Sequence, residues 1–91
     1  MTKPTTAELL SYYTMRDLVA HLNLTRSQIK TRLAKGTLPA PTRTNKHGVR
    51  LFDAHWMVAA KHIVECERGR MSPFDLAEKL NEMGVTLGID A

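Results

Sequence analysis

Residues 25–50 are rich in polar and basic side chains of the types that contact nucleic acid. Arginine and lysine donate hydrogen bonds to guanine O6 and N7 or to phosphate oxygens, and glutamine pairs with adenine. Hydroxyl groups bond to bases or to phosphates. We therefore predict a set of DNA-contacting residues that consists of Thr25, Arg26, Ser27, Gln28, Lys30, Thr31, Arg32, Lys35, Arg43, Lys46, His47 and Arg50.

The charge of the chain is distributed unevenly. Residues 18–52 contain seven arginines and lysines and no carboxylate, a formal charge of +7. The remainder has six basic and nine acidic residues, a formal charge of −3. A solvated surface normally mixes both signs, so a one-sided field of this kind indicates a polyanionic partner. The alternative is a basic surface that has no partner.

Two short helices are predicted upstream of the most basic stretch. Thr14 followed by Asp17 is a capping-box pattern, which predicts the start of the first helix. Asn23 is expected to end this helix. Apolar residues recur between them at the spacing of one helix face, namely Met15, Leu18, Val19 and Leu22. Thr25 with Gln28 repeats the capping pattern, so a second helix begins after a very short turn.

The second helix is predicted to be basic on its outer face. Ile29 and Leu33 lie one turn apart and are expected to face inward. Gly36 is placed to end the helix, and Pro39 prevents it from resuming. Two short helices joined by a tight turn, the second basic outside, form a helix-turn-helix arrangement.

Residues 37–52, "TLPAPTRTNKHGVRLF", are too rich in proline and glycine for a helix. "NKHG" is typical of a tight turn, because asparagine and glycine tolerate a positive φ. The flanking segments "PTRT" and "VRLF" then form a β-hairpin wing. It carries Arg43, Lys46, His47 and Arg50.

Two further helices are predicted after the hairpin. Asp53 caps the third, which ends at Gly69 and whose buried stripe comprises Trp56, Ala60, Ile63 and Val64. The spacing favours core packing of Trp56 over an exposed, partner-binding role. Ser72 and Pro73 begin the fourth helix, which ends at Gly84 and whose inner face comprises Leu76, Leu80 and Met83.

Two stretches resemble the winged-helix domains of MerR-type and excisionase-type proteins. "YTMRDLVAHLNLTRSQIKTRLAKGTLPAP" has their "YT" entry and their "G-x-L-P" exit, and "GVRLFDAHWMVAAKHIVECERGRMSPFDLAEKL" is similar to the MerR-type continuation. The resemblance covers about residues 12–83. It implies a mainly α, winged helix-turn-helix fold of about four helices with a small hairpin wing and without the long dimerisation helix.

The resemblance also implies domain limits and residue roles. Residues 1–11 would form an arm, residues 12–84 the DNA-binding domain and residues 85–91 a tail. By carry-over, Ser27, Lys30 and Thr31 contact DNA from the recognition helix, and Arg50 contacts the backbone from the wing.

The function implied is sequence-specific binding of double-stranded DNA by a small transcriptional regulator of a plasmid or phage. An excisionase, or recombination directionality factor, is the alternative within the resemblance. Expected partners are further copies binding cooperatively on DNA and a recombinase or the transcription machinery, in the bacterial cytoplasm and at its nucleoid. A protein-interaction module is the alternative from another class, with the acidic half or the apolar tail of Val85, Leu87 and Ile89 docking a partner.

Other chemistry finds little support in the sequence. His62 and Cys66 lie four residues apart, but two ligands do not complete a zinc site, so we expect a buried thiol beside a surface histidine. We expect no cofactor and no enzymatic activity, and we interpret the carboxylates of the C-terminal half as a solvated face, namely Glu65, Glu67, Asp75, Glu78 and Glu82. No stretch approaches the roughly 20 apolar residues of a membrane span.

Overall fold

Helices dominate the part of the chain that the computed structural model describes, which is residues 12–85. The elements are α1 (Met15–Leu22), α2 (Arg26–Lys35), β1 (Arg43–Thr44), β2 (Arg50–Leu51), α3 (Ala54–Glu67) and α4 (Pro73–Met83). A mainly helical fold with a small antiparallel hairpin is therefore confirmed. The predicted arm at residues 1–11 and the tail from residue 86 onward lie outside the described residues.

The starts of α1 and α2 have the local hydrogen bonds that the capping patterns predict. The backbone N–H of Thr14 donates to the carboxylate of Asp17 over 2.9 Å. The N–H of Thr25 donates to Gln28 Oε1 over 3.0 Å, and the N–H of Gln28 donates to Thr25 Oγ1 over 3.1 Å. Asn23 ends α1 with φ at 54°, and α2 begins only three residues later.

The predicted hairpin is present, with Arg43 opposite Leu51 and Thr44 opposite Arg50. Its turn differs in one respect from the expectation, because the positive φ occurs at Gly48 and not at Asn45. Asn45 instead stabilises the turn through its side chain. Its Oδ1 accepts hydrogen bonds from the N–H groups of His47 and Val49, each over 2.9 Å.

The core is built on α3, which packs against α1 on one side and against α4 on the other. All four residues of the predicted stripe of α3 are buried. Met57 and Ala59 are buried as well, although the stripe did not include them. A helix covered on two sides buries a wider face than one covered on a single side.

Trp56 connects α3 to the loop between α2 and the hairpin. Its indole N–H donates to the carbonyl oxygens of Pro39 and Ala40, over 3.1 and 3.0 Å. The ring lies 4.4 Å from that of Phe52, centroid to centroid. Only 4% of Trp56 is exposed, which confirms its predicted place in the core.

Polar contacts hold the other helices against α3. Nη2 of Arg68 donates to the carbonyl oxygens of Leu22 and Asn23, over 2.9 and 3.1 Å, at the end of α1. The ring N–H of His55 donates to the carbonyl oxygen of Met83 over 3.0 Å, because a carbonyl can only accept. The start of α3 therefore lies beside the end of α4, and the two helices run antiparallel.

Replacement of Trp56 by phenylalanine tests the loop attachment. Trp56→Phe removes the donor for two loop carbonyls and should lower the free energy of unfolding by about 1–3 kcal/mol. The measurement is urea denaturation followed by circular dichroism, since the chain has one tryptophan and the variant loses its fluorescence. Val58→Ala, at a half-exposed position of the same helix, serves as the control. Equal stability of the two variants would contradict the attachment.

Candidate nucleic-acid interface

The outer face of α2 presents most of the predicted contact residues. Ile29 is fully buried, and this fixes which side of the helix faces solvent. Leu33 is half-buried against the core, as the inward-facing pair requires. Six of the predicted residues on this helix are exposed, namely Arg26, Ser27, Gln28, Lys30, Thr31 and Lys35.

A shallow concavity of about 330 Å³ runs along this face of α2. The hydroxyl of Thr37 lies at its end and donates to the carbonyl oxygen of Arg32 over 3.1 Å, which closes the last turn of the helix. The wall is formed by hydroxyl, amide and cationic side chains from Ser27, Gln28, Thr31, Arg32, Lys35 and Thr37. Such a lining offers several hydrogen-bond donors to an anionic or nucleobase ligand.

Thr25 and Gln28, two of the predicted DNA contacts, also form the hydrogen bonds that cap the start of α2. Oγ1 of Thr25 accepts the N–H of Gln28, and Oε1 of Gln28 accepts the N–H of Thr25. A bidentate pair with adenine uses both the oxygen and the nitrogen of a glutamine amide. While this cap is formed, the Nε2 group of Gln28 remains available to donate a hydrogen bond to a ligand.

Arg32, one of the predicted DNA contacts, forms an ion pair through its guanidinium with Glu67 at the end of α3. The two side chains are 27% and 39% exposed, so water still reaches both. Glu67 is therefore not simply part of a solvated face, as the sequence had indicated, but the partner of Arg32. The residues are 35 positions apart, and no local pattern connects them.

The hairpin adds the remaining predicted residues, and all four are exposed: Arg43, Lys46, His47 and Arg50. Arg50 faces solvent opposite Thr44, whereas its neighbour Leu51 is fully buried. Within residues 12–85, no carboxylate forms an ion pair with any of the four. The positive charges of Arg43, Lys46 and Arg50 therefore face solvent without an internal counterion in this part of the chain.

The carboxylates of α3 pair with nearby cations instead. Glu65 accepts from Lys61 over 3.4 Å and from Arg70 over 3.3 Å. Partial burial on its own raises the pKa of Glu65, but the hydrogen bonds and charges of Arg70 and Lys61 outweigh it, so the pKa lies below the usual 4.5. The charge of Glu65 is therefore compensated locally by Lys61 and Arg70 and not by the cations of the hairpin.

The expectation for His62 and Cys66 needs a correction. Cys66 is half-buried rather than buried, and His62 is half-buried rather than on the open surface. Both lie at the border of the wide stripe that α3 buries, and this explains their intermediate exposure. Within residues 12–85, no three histidine, cysteine, aspartate or glutamate side chains are grouped closely enough to hold a metal ion.

Comparison of the chain with family models, curated protein sequences and solved structures gives no match. Across residues 12–85, every helix is too short or too polar to cross a membrane.

The ion pairs of Glu65 predict a dependence of stability on pH. Because the folded-state pKa is lowered, the carboxylate stabilises the fold above its unfolded value of 4.5, and this contribution is lost as the pH falls through the folded value. Glu65→Gln should therefore lower the midpoint of urea unfolding at neutral pH, and its difference from the wild type should vanish in acid. Glu78→Gln, exposed on α4, is the matched control. A difference that is constant with pH would contradict the assignment.

Proposed function

We propose that this chain binds double-stranded DNA sequence-specifically, with α2 as the recognition helix of a winged helix-turn-helix and the hairpin as its wing. The observation that carries the proposal is the exposed polar and cationic face of α2, followed along the chain by a hairpin whose cations have no ion pair within residues 12–85. Phosphates supply the missing anions.

The helical spacing of α2 places three of the predicted DNA contacts on one face of the helix. Ser27, Lys30 and Thr31 occupy positions i, i+3 and i+4, so their side chains share one face of the helix. Buried Ile29 holds the other face against the core. A helix inserted in the major groove would direct Ser27, Lys30 and Thr31 at base edges.

The hairpin carries the contacts that set register rather than sequence. Arg50 and Thr44 form a cross-strand pair on its solvent side, and Lys46 lies in the turn between the strands. Cations at these positions would reach phosphates or the neighbouring minor groove. Their contribution to affinity is independent of sequence and weakens as salt rises.

The small size of the domain limits the specificity with which a single copy can bind DNA. One small module buries too little DNA for high specificity alone, so we propose that two or more copies bind neighbouring sites cooperatively. A small transcriptional regulator of a bacterial mobile element is the use that the MerR-type and excisionase-type resemblance favours. An excisionase would use the same residues, and altered recombination without altered transcription would identify it.

Two alanine substitutions test the division between helix and wing. Lys30→Ala should reduce discrimination between specific and unrelated sites, because it removes a donor to a base. Arg50→Ala should weaken binding to all sites alike and flatten the slope of log affinity against log salt by about one unit, because it removes a phosphate contact. Fluorescence anisotropy with a cognate and a scrambled duplex, across a salt series, measures both effects.

Lys79→Ala is the control for these variants, since it removes one positive charge from α4. It should leave discrimination and the salt slope nearly unchanged. An equal loss of specificity in the Lys30 and Arg50 variants would contradict the assignment of base contacts to α2 and of phosphate contacts to the hairpin. Salt-independent binding by the wild type would refute the proposed function.

The ion pair between Arg32 and Glu67 yields a second test. Phosphate and Glu67 compete for the same guanidinium, so Glu67→Gln should tighten DNA binding, by up to about fivefold for a solvent-accessible pair. It should also steepen the salt slope by about one unit. Glu78→Gln makes the same change of net charge on α4 and separates local competition from a change of overall charge. Equal effects of the two variants would contradict competition at Arg32.

A further inference from the structure

The amide of Gln28 is held in one orientation by the cap at the start of α2. The backbone N–H of Gln28 donates to Oγ1 of Thr25 over 3.1 Å, and its side-chain Oε1 accepts the backbone N–H of Thr25 over 3.0 Å. A backbone N–H can only donate, so the oxygen and not the nitrogen of the amide must face Thr25. The amide therefore presents its Nε2 donor group outside the cap.

Buried residues on both sides fix the cap against the core. Leu24, directly before Thr25, is 9% exposed, and Ile29, directly after Gln28, is fully buried. Thr25 and Gln28 themselves are exposed. The side chain of Gln28 is thus restrained before any ligand binds. A group restrained in this way loses little conformational freedom on binding.

The same amide lies on the concave face of α2. Gln28 lines the concavity together with Ser27 and Thr31. In the proposed complex, Ser27 and Thr31 are directed at base edges in the major groove. The Nε2 donor of Gln28 would therefore reach a base from the same side of the helix.

The four bases differ in what they offer to a donor in the major groove. Guanine presents two adjacent acceptors, N7 and O6. Adenine presents its N7 acceptor beside an amino group that requires an acceptor, and cytosine presents an amino group. Thymine presents one acceptor, O4, beside a methyl group. An amide that offers only its donor is therefore best matched by guanine.

Opening the cap would not increase the number of hydrogen bonds. To pair with adenine, Gln28 would have to turn its Oε1 to the adenine amino group and away from the N–H of Thr25. One hydrogen bond would replace another, and the N–H of Thr25 would lose its acceptor at a surface from which DNA displaces water. Binding to guanine keeps the bond within the cap and adds bonds to the base.

We infer that Gln28 recognises guanine through its Nε2 donor, and that the cap formed with Thr25 excludes the adenine pair that an unrestrained glutamine forms. The inference rests on the proposed function and adds a base-contacting residue to Ser27, Lys30 and Thr31. In this arrangement a backbone N–H of the protein determines which base a side chain recognises.

The first test is a selection by the full chain from a library of duplexes with a randomised central segment. The same selection with Gln28→Ala identifies the base pair that Gln28 contacts, because the preference at that position should disappear while the other preferences remain. The wild type should select a G·C pair there. An A·T pair at that position would show that the cap opens on DNA and would overturn the inference.

Inosine tests whether the contact lies in the major groove. An I·C pair has the major-groove edge of G·C and lacks only the minor-groove amino group of guanine. At the selected position, the wild type should bind G·C and I·C equally and A·T at least about fivefold more weakly, as measured by fluorescence anisotropy. Gln28→Ala should bind all three alike. Binding of I·C as weakly as A·T would overturn the inference.

Two substitutions of Thr25 test the role of the cap. The φ of Thr25 is −77°, which proline can adopt, so Thr25→Pro removes the N–H and frees Oε1 of Gln28. Thr25→Ala loses the same hydroxyl but keeps the N–H. Both variants should bind DNA more weakly, but only Thr25→Pro should shift its preference from G·C towards A·T. A G·C preference equally strong in both variants would overturn the role of the cap.

The outcomes separate this inference from the proposed function. Circular dichroism verifies that each variant is folded, and the comparison of the wild type with Gln28→Ala stands whether or not Thr25→Pro folds. A library from which the wild type enriches no sequence would refute the proposed function and, with it, this inference. A specific site at which Gln28→Ala keeps every preference of the wild type would refute the inference alone.

Discussion

Burial of α3 is the constraint on which the other elements depend. The helix lies between α1 and α4, and its Trp56 indole holds the loop that leads from α2 to the hairpin. Arg68, just beyond its end, binds the carbonyls that close α1. One buried helix thus positions the tight turn, the loop and the last helix together. Because protein interiors are closely packed, a shift of α3 would move all three of these segments.

The carboxylates of α3 also determine which cations of the molecule are paired. They pair with cations of the C-terminal half and, through Glu67, with Arg32 on α2. The hairpin cations receive no such partner within residues 12–85. Charge segregation of this kind favours polyanion binding on the part of the surface formed by α2 and the hairpin.

Most of the secondary structure could be predicted from the sequence because its signals are local. The caps at Thr14, Thr25, Asp53 and Ser72 act within three residues, and each lies where its pattern indicated. Helix periodicity identified the buried faces, since residues three and four apart share a side of the helix. The exposed residues of the candidate interface followed from the same periodicity, because Ile29 can face the core on only one side.

The tertiary structure alone decided which distant groups meet. The pairing of Arg32 with Glu67 and the bonds from Trp56 to the loop carbonyls join residues 16 to 35 positions apart, and no local spacing encodes them. The extra burial of Met57 and Ala59 on α3 likewise depends on how the helices pack. The sequence by itself determined where each element begins, ends and turns its apolar side. The packing of those elements determined which charges are paired and which surfaces are open to a partner.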